Sequence, residues 1–200
     1  MIVTIEGIAG AGKHTLVNKL TSQVPATVLA FPRYRDSIHA QLAAEALHGR
    51  MGDLTDSAYA MATLFALDRH GALSVLERFV DSSELLILDR YVASNAAYSY
   101  ARLGEESVID WVHDLEFGRL GLPRPDLQVL LDTPPDTASQ RARHREEADA
   151  DRARDRYERD AGLQQRTHQA YRRLAESNWA GRWLISTDPA DILKEITLNR

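Results

Sequence analysis

Short apolar runs alternate along this chain with longer stretches of helical period. Five runs read as strands: residues 2–6 (IVTIE), 27–31 (TVLAF), 85–88 (LLIL), 127–131 (LQVLL) and 183–186 (WLIS). Residues 13–23 have a helical pattern that ends before Pro25, and residues 36–48 have another. Residues 55–79 form a long helical pattern through Tyr59, Leu64, Phe65, Leu67 and Leu76. Gly71 within it costs about 1 kcal/mol relative to Ala and marks a candidate break. Helical segments follow the third strand to about residue 118. Strands that are apolar on both faces and separated by helices predict an α/β protein with a parallel sheet covered on both sides. With no repeat, linker or composition break, residues 1–200 are expected to form a single domain.

One segment departs from this alternation. Residues 141–160 (RARHREEADADRARDRYERD) are almost entirely charged and lack a continuous apolar stripe. Such a run is either a solvated helix face or loop, or an arginine-bearing flap over a phosphate site.

Composition narrows the class. The chain has 200 residues, enough for a substantial core, and 44% of them are hydrophobic. No apolar run approaches the ~20 residues that span a membrane. Glu6 interrupts the start before any signal-peptide apolar region. Cysteine is absent, so disulfides and thiolate metal sites are excluded. A cytoplasmic protein without a membrane partner is the expectation. The net charge of −5 argues against a dedicated nucleic-acid binder. Of 24 basic residues, only Lys13, Lys19 and Lys194 are lysines. This bias reflects genomic composition or a need for planar, bidentate phosphate ligands.

The chemistry begins at the first strand. Residues 7–13 (GIAGAGK) spell G-x-x-x-x-G-K between a predicted strand and a predicted helix. There the free backbone N–H groups and the positive helix end converge on one spot, and Lys13 adds a compact charge. Gly7, Gly10, Ala11, Gly12, Lys13, His14 and Thr15 are therefore candidates for a nucleotide phosphate site. His14 occupies the position of the Ser/Thr hydroxyl that ordinarily ligates magnesium, and imidazole is a poor substitute for a hard oxygen donor. Magnesium contacts are expected to come from carboxylates instead, with Asp89 and an acid of the charged segment as candidates.

The segment ILDRYVASNAAYSYARL runs from strand into helix. It places Asp89 and Arg90 at the carboxyl end of a strand, where open α/β sheets bind ligands. Arg90 can clamp a phosphate bidentately. Ser94 and Tyr98 share one helix face with Asn95 beside them. FPRY (Phe31, Pro32, Arg33, Tyr34) follows the second strand directly. FALDR sets Phe65 and Arg69 one turn apart, an aromatic and an arginine suited to a flat base.

Taken in order, EGxxGAGK, FPRY, FALDR, DRYxxSNxAY and RARDRYERD resemble the thymidylate kinases, most closely the actinobacterial type. The resemblance covers residues 2 to about 166. It implies a P-loop three-layer fold with a five-stranded parallel sheet, helices on both faces and an Arg-rich lid at about 141–156. It also implies transfer of the γ-phosphoryl group of ATP to dTMP, with Mg²⁺ as cofactor, in a homodimer. Residue roles follow by the same resemblance. Phe65 would stack on thymine, Arg69 and Asn95 would hydrogen-bond its edge, and Tyr98 would lie against the sugar and disfavour a 2′-hydroxyl. Phe31, Pro32, Arg33 and Tyr34 would line the monophosphate pocket, with Arg90 on its phosphate. Lys13 would bridge donor and acceptor phosphates, and Asp89 and Glu158 would serve the metal. Arg141 would sit near adenine. Arg145, Arg152 and Arg154 would bring lid charge to the transferring group. Asp155, Tyr157, Glu158 and, more weakly, Gln164 would close over the acceptor.

One position breaks the pattern. Family members usually carry an acid where this chain has Ala9. Glu6, Asp155 or Glu158 could substitute, or the enzyme could be slower or bind magnesium more weakly, or it could have drifted in acceptor or lost activity. The rival readings are another nucleoside monophosphate or deoxynucleoside kinase of the same fold, and a catalytically impaired nucleotide-binding regulator.

Overall fold

A computed structural model describes residues 1–148 and 154–198. The core is a five-stranded sheet of β1 (Ile2–Glu6), β2 (Thr27–Ala30), β3 (Leu86–Asp89), β4 (Leu127–Leu130) and β5 (Trp183–Ile185). Its order is β2-β3-β1-β4-β5, and every pair is parallel. All five positions of β1 are buried, as are those of β4 and the first three of β3. The edge strands β2 and β5 are largely exposed or half-buried. This is the pattern of a parallel sheet covered on both faces, so the predicted α/β class and strand count hold.

The helices are α1 (Lys13–Thr21), α2 (Ile38–Leu47), α3 (Ala58–His70), α4 (Leu73–Leu76), α5 (Val92–Leu103), α6 (Ser107–His113), α7 (Pro135–Ala148), α8 (Arg156–Arg159), α9 (Ala161–Glu176) and α10 (Pro189–Leu198). Side-chain caps start several of them. Ser37 accepts from Ala40 N, Ser57 from Ala60 N and Asp160 from Leu163 N, each satisfying a first-turn N–H. Helix α5 is built largely of small buried residues, among them Ala93, Ala96, Ala97 and Ala101. They let α5 pack closely against α9, α6 and α3.

The long helical pattern over 55–79 resolves into separate pieces. Helix α3 starts only at Ala58, capped by Ser57, and ends at Gly71. A Cβ on Gly71 would lie 2.8 Å from Arg33 Nη2. A side chain there would require the Arg33 guanidinium to shift. Arg33 donates from Nη2 to Asp68 O and pairs through Nε with Asp68 Oδ1 at 3.0 Å. The charged segment is helical in its first part, within α7. The described residues also include α9, which puts Leu163, Thr167, Tyr171 and Leu174 on its buried face, and α10, which buries Ile192 and Ile196. Among the described residues no helix is long and apolar enough to cross a membrane.

Candidate active site

The phosphate loop joins β1 to α1 at the carboxyl edge of the sheet. Its glycines are required by backbone and space together. Gly7, Gly10 and Gly12 have φ of 144°, 77° and 102°. A Cβ on Gly10 would fall 2.1 Å from Ala138 O, so the loop lies directly on α7. Ala11 O accepts from Thr133 Oγ1 at 2.9 Å and from Arg141 Nη1 at 3.4 Å. Arg141 therefore stands against the loop. Lys13 is buried and donates to Gly7 O and Ile8 O at 3.0 and 2.9 Å. Its withdrawal from water, helped by the charge of Arg90, lowers its pKa to about 7, against the pull of Asp89, Glu6 and Glu158. His14 and Thr15 are exposed on the first turn of α1, where the His14 ring meets Asn18 at 3.2 Å.

Beside the loop, β2, α3, the β3–α5 turn, α5 and α8 enclose one cavity. Phe31, Pro32, Tyr34, Phe65, Arg69, Arg90, Ser94, Asn95, Tyr98, Asp155, Tyr157 and Glu158 line it, together with Leu47. Twelve residues singled out in the sequence thus meet in one place, although they span positions 31 to 158. Arg33 does not line the cavity, because Asp68 holds its side chain and also accepts from its backbone N–H at 2.9 Å. Gln164 lies at the seam between loop and cavity. It accepts from Ala9 N at 3.3 Å and donates to Tyr157 O at 2.8 Å.

Arg90 links several walls of the cavity. It has φ of 68°, a left-handed conformation that costs a non-glycine residue about 1–2 kcal/mol and is concentrated at functional sites. Its N–H bonds Ile5 O at 3.0 Å, and its guanidinium contacts Tyr171 OH at 3.3 Å, Ser94 Oγ at 3.4 Å and the face of Tyr98. Behind it lies Glu6, fully buried. Glu6 accepts from Tyr91 N at 2.8 Å, Ser94 Oγ at 2.7 Å and Tyr171 OH at 3.2 Å. Burial pushes its carboxyl pKa up, opposed by these bonds and by Arg90. The Asp155 carboxyl is likewise raised by burial, and that of the Tyr157 hydroxyl rises to about 12.

The charged segment divides. Arg154 pairs through Nε with Glu146 Oε2 at 2.7 Å, so its side chain is engaged within the segment rather than at the cavity. The side chain of Arg145, and Arg152 as a whole, lie outside the described residues. Asp89 and Glu158 supply hard oxygen donors suited to magnesium. Among the described residues, no group of three or more His, Asp or Glu side chains could hold a metal alone.

Several participants carry no motif. Glu116 bonds both Arg69 and Asn95, Tyr171 joins Glu6 to Arg90, and Arg102 stacks on Tyr157 while donating to Thr55 O. Glu116 and Tyr171 answer the need of a buried Arg69 and a buried Glu6 for partners, the one signal that points to them.

A family model described as thymidylate kinase matches residues 5–195. Thymidylate kinases from two Mycobacterium tuberculosis strains are 54% identical over 193 residues, covering 92% of this chain and 90% of theirs. One from Nitrobacter hamburgensis is 33% identical over 88% of this chain and 76% of its own. A solved thymidylate kinase from Candida albicans superposes with a TM-score of 0.72 at 21% identity, covering 98% of this chain and 89% of that one.

Proposed function

The chain belongs to the thymidylate kinase family, and from that premise we propose how its cavity carries a phosphoryl group from ATP to dTMP. The enzyme phosphorylates dTMP to dTDP. A phosphate oxygen of dTMP attacks the γ-phosphorus, the bond from that phosphorus to the β–γ bridging oxygen breaks, and ADP departs.

The observation that supports the assignment of parts is the meeting of an aromatic-and-amide cavity with the phosphate loop at Arg90 and Lys13. Phe65 offers a face for the base, Arg69 and Asn95 an edge, and Ser94 and Tyr98 a wall for the sugar. Phe31, Pro32, Tyr34 and Arg90 take the acceptor phosphate. Arg33 acts one step back, by tying the FPRY turn to α3 through Asp68. The phosphate loop, from Gly7 through Thr15, takes the donor phosphates, with Arg141 beside it. Lys13 neutralises charge between the two phosphates. Asp89 and Glu158 would hold Mg²⁺, which spreads the negative charge of the transferring group.

Asp155, Tyr157 and Glu158 close the acceptor side, and Gln164 couples them to the loop. Residues at about 141–156 serve as the lid, with Arg145, Arg152 and, once it leaves Glu146, Arg154 as its charge. An arginine delivered this way raises rates by ~10³–10⁵ in related phosphoryl transfers. Residues 1–200 work as one domain in a cytoplasmic homodimer, whose assembly equilibrium sedimentation would test.

An acceptor panel in an ADP-release assay checks the reading. The expected order places dTMP well ahead of dCMP, dGMP and thymidine; equal turnover of all four would reject it. Binding of ATP and dTMP without ADP at any magnesium concentration would favour the regulator. Run with a magnesium titration, the same assay addresses Ala9. Ala9→Asp is expected to lower the magnesium concentration for half-maximal rate, and an unchanged midpoint would exclude a metal role for that position.

A further inference from the structure

We propose that Glu116 sets which pyrimidine this kinase accepts, by locking the hydrogen-bond polarity of Asn95 and Arg69 without itself touching substrate. The inference rests on the reading of the cavity as a dTMP site.

Glu116 is completely buried. It sits on the π-helical turn Asp114–Arg119 that continues α6, a geometry that is rare and frequently marks functional sites. From there its carboxylate reaches two elements at once. Arg69 Nε and Nη2 on α3 donate to Oε2 and Oε1 at 2.5 and 2.7 Å. Asn95 Nδ2 on α5 donates to Oε1 at 2.7 Å and to Ala62 O at 3.0 Å. A carboxylate and a carbonyl can only accept. The Asn95 atom between them must therefore be the NH₂ group. Rotating the amide by half a turn would set its oxygen against two buried acceptors, leaving polar atoms unsatisfied.

The consequence falls at the cavity, which both side chains line. With both Nδ2 protons committed, Asn95 has only its oxygen to offer a base. Arg69 has Nη1 outside the pair with Glu116 and can only donate. The cavity thus presents an acceptor beside a donor. Thymine and uracil answer with N3–H and O4. Cytosine presents an N3 acceptor and an N4 amino donor, reversed at both positions. A residue able to donate at position 116 would remove one of the two acceptors that oppose the flip, leaving Ala62 O alone against it; an acid removes neither. Glu116 is therefore a positioning residue for base selection. It discriminates cytosine from thymine but is indifferent to the thymine methyl.

The test measures kcat/KM of the full chain for dTMP, dUMP and dCMP, with Glu116→Gln and Glu116→Asp beside the wild type. Glu116→Gln is expected to cut kcat/KM for dTMP about tenfold or more, with the KM for ATP unchanged. It should lower the dTMP-to-dCMP ratio about tenfold and leave the dTMP-to-dUMP ratio within about twofold. Glu116→Asp should retain more of the dTMP-to-dCMP preference. A merely structural loss would weaken all three acceptors alike. An unchanged dTMP-to-dCMP ratio in Glu116→Gln overturns the proposal. A wild type that ignores dTMP overturns the reading of the cavity instead.

If the variants do not fold, NMR of the wild-type Asn95 side-chain amide decides. Both protons should exchange slowly and keep their shifts when dTMP is added, because the base meets the oxygen. Protons that exchange freely, or that move to a base-bonded position, overturn the lock.

Discussion

A lysine ammonium withdrawn from water holds its proton less tightly, and Lys13 stands near pH 7 for that reason. Between about 7 and its ordinary 10.5, the unfolded chain carries a proton that the folded chain has released. Folding stability gains from this group as pH rises through that window, and its cost is full below about 7. Lys13→Met removes the effect. The wild-type stability minus that of Lys13→Met, taken from denaturant titrations, is expected to rise with pH by at most about 1.4 kcal/mol per unit. A difference that stays flat from pH 7 to pH 10 would show that Lys13 keeps its charge. At this scale the sequence was informative where chemistry and spacing coincide, as in the DRYVASNAAYS block, whose Arg90, Ser94, Asn95 and Tyr98 all reach the cavity. It was silent about Glu116 and Tyr171. Each sits in a helix whose pattern is complete without it, and each matters only through a partner far along the chain. Arg33 illustrates the opposite case. Its place in FPRY pointed to the phosphate, but Asp68 is near enough to take it.

Among the elements, the contact between the phosphate loop and α7 is the tightest constraint. Gly10 meets Ala138 O at a distance no Cβ tolerates, and its φ of 77° is left-handed as well. Gly10→Ala is expected to cost about 2–5 kcal/mol, combining left-handed strain with overpacking. It should also weaken ATP more than dTMP, because the loop and Arg141 move while the β2, α3 and α5 walls of the cavity do not. Unchanged stability in chemical denaturation would mean that α7 yields freely. Strands were legible to within a residue or two, and β1, β3 and β4 most directly, because a strand buried on both faces has no polar alternation to obscure it. Helix ends were less so. The break at Gly71 falls where Arg33 crosses from another element, and the start of α3 coincides with the cap at Ser57. The charge run within α7 gave no stripe to read, since its helix is packed mainly near its first turns, at Ala138 and Ala142.

For the molecule as a whole, the decisive feature is that neighbours in the sheet are remote in the sequence. Ile2 pairs with Leu86 and Val3 with Leu127, while Gln128 pairs with Trp183. Such non-local pairing places refolding in milliseconds to seconds or slower rather than microseconds. Stopped-flow recovery after denaturant dilution would measure it, and microsecond recovery would contradict a sheet-limited transition. The same strand order has a consequence during synthesis. β1 leaves the ribosome before the other strands yet occupies the middle of the sheet, so its second flank stays open until β4, more than 120 residues later, has been translated. Until then the nascent chain carries the apolar IVTIE segment with one edge unpaired, even after β3 has joined the other. Chaperone dependence in the cell should accordingly concentrate on chains halted before β4, and fade once residues 127–130 emerge.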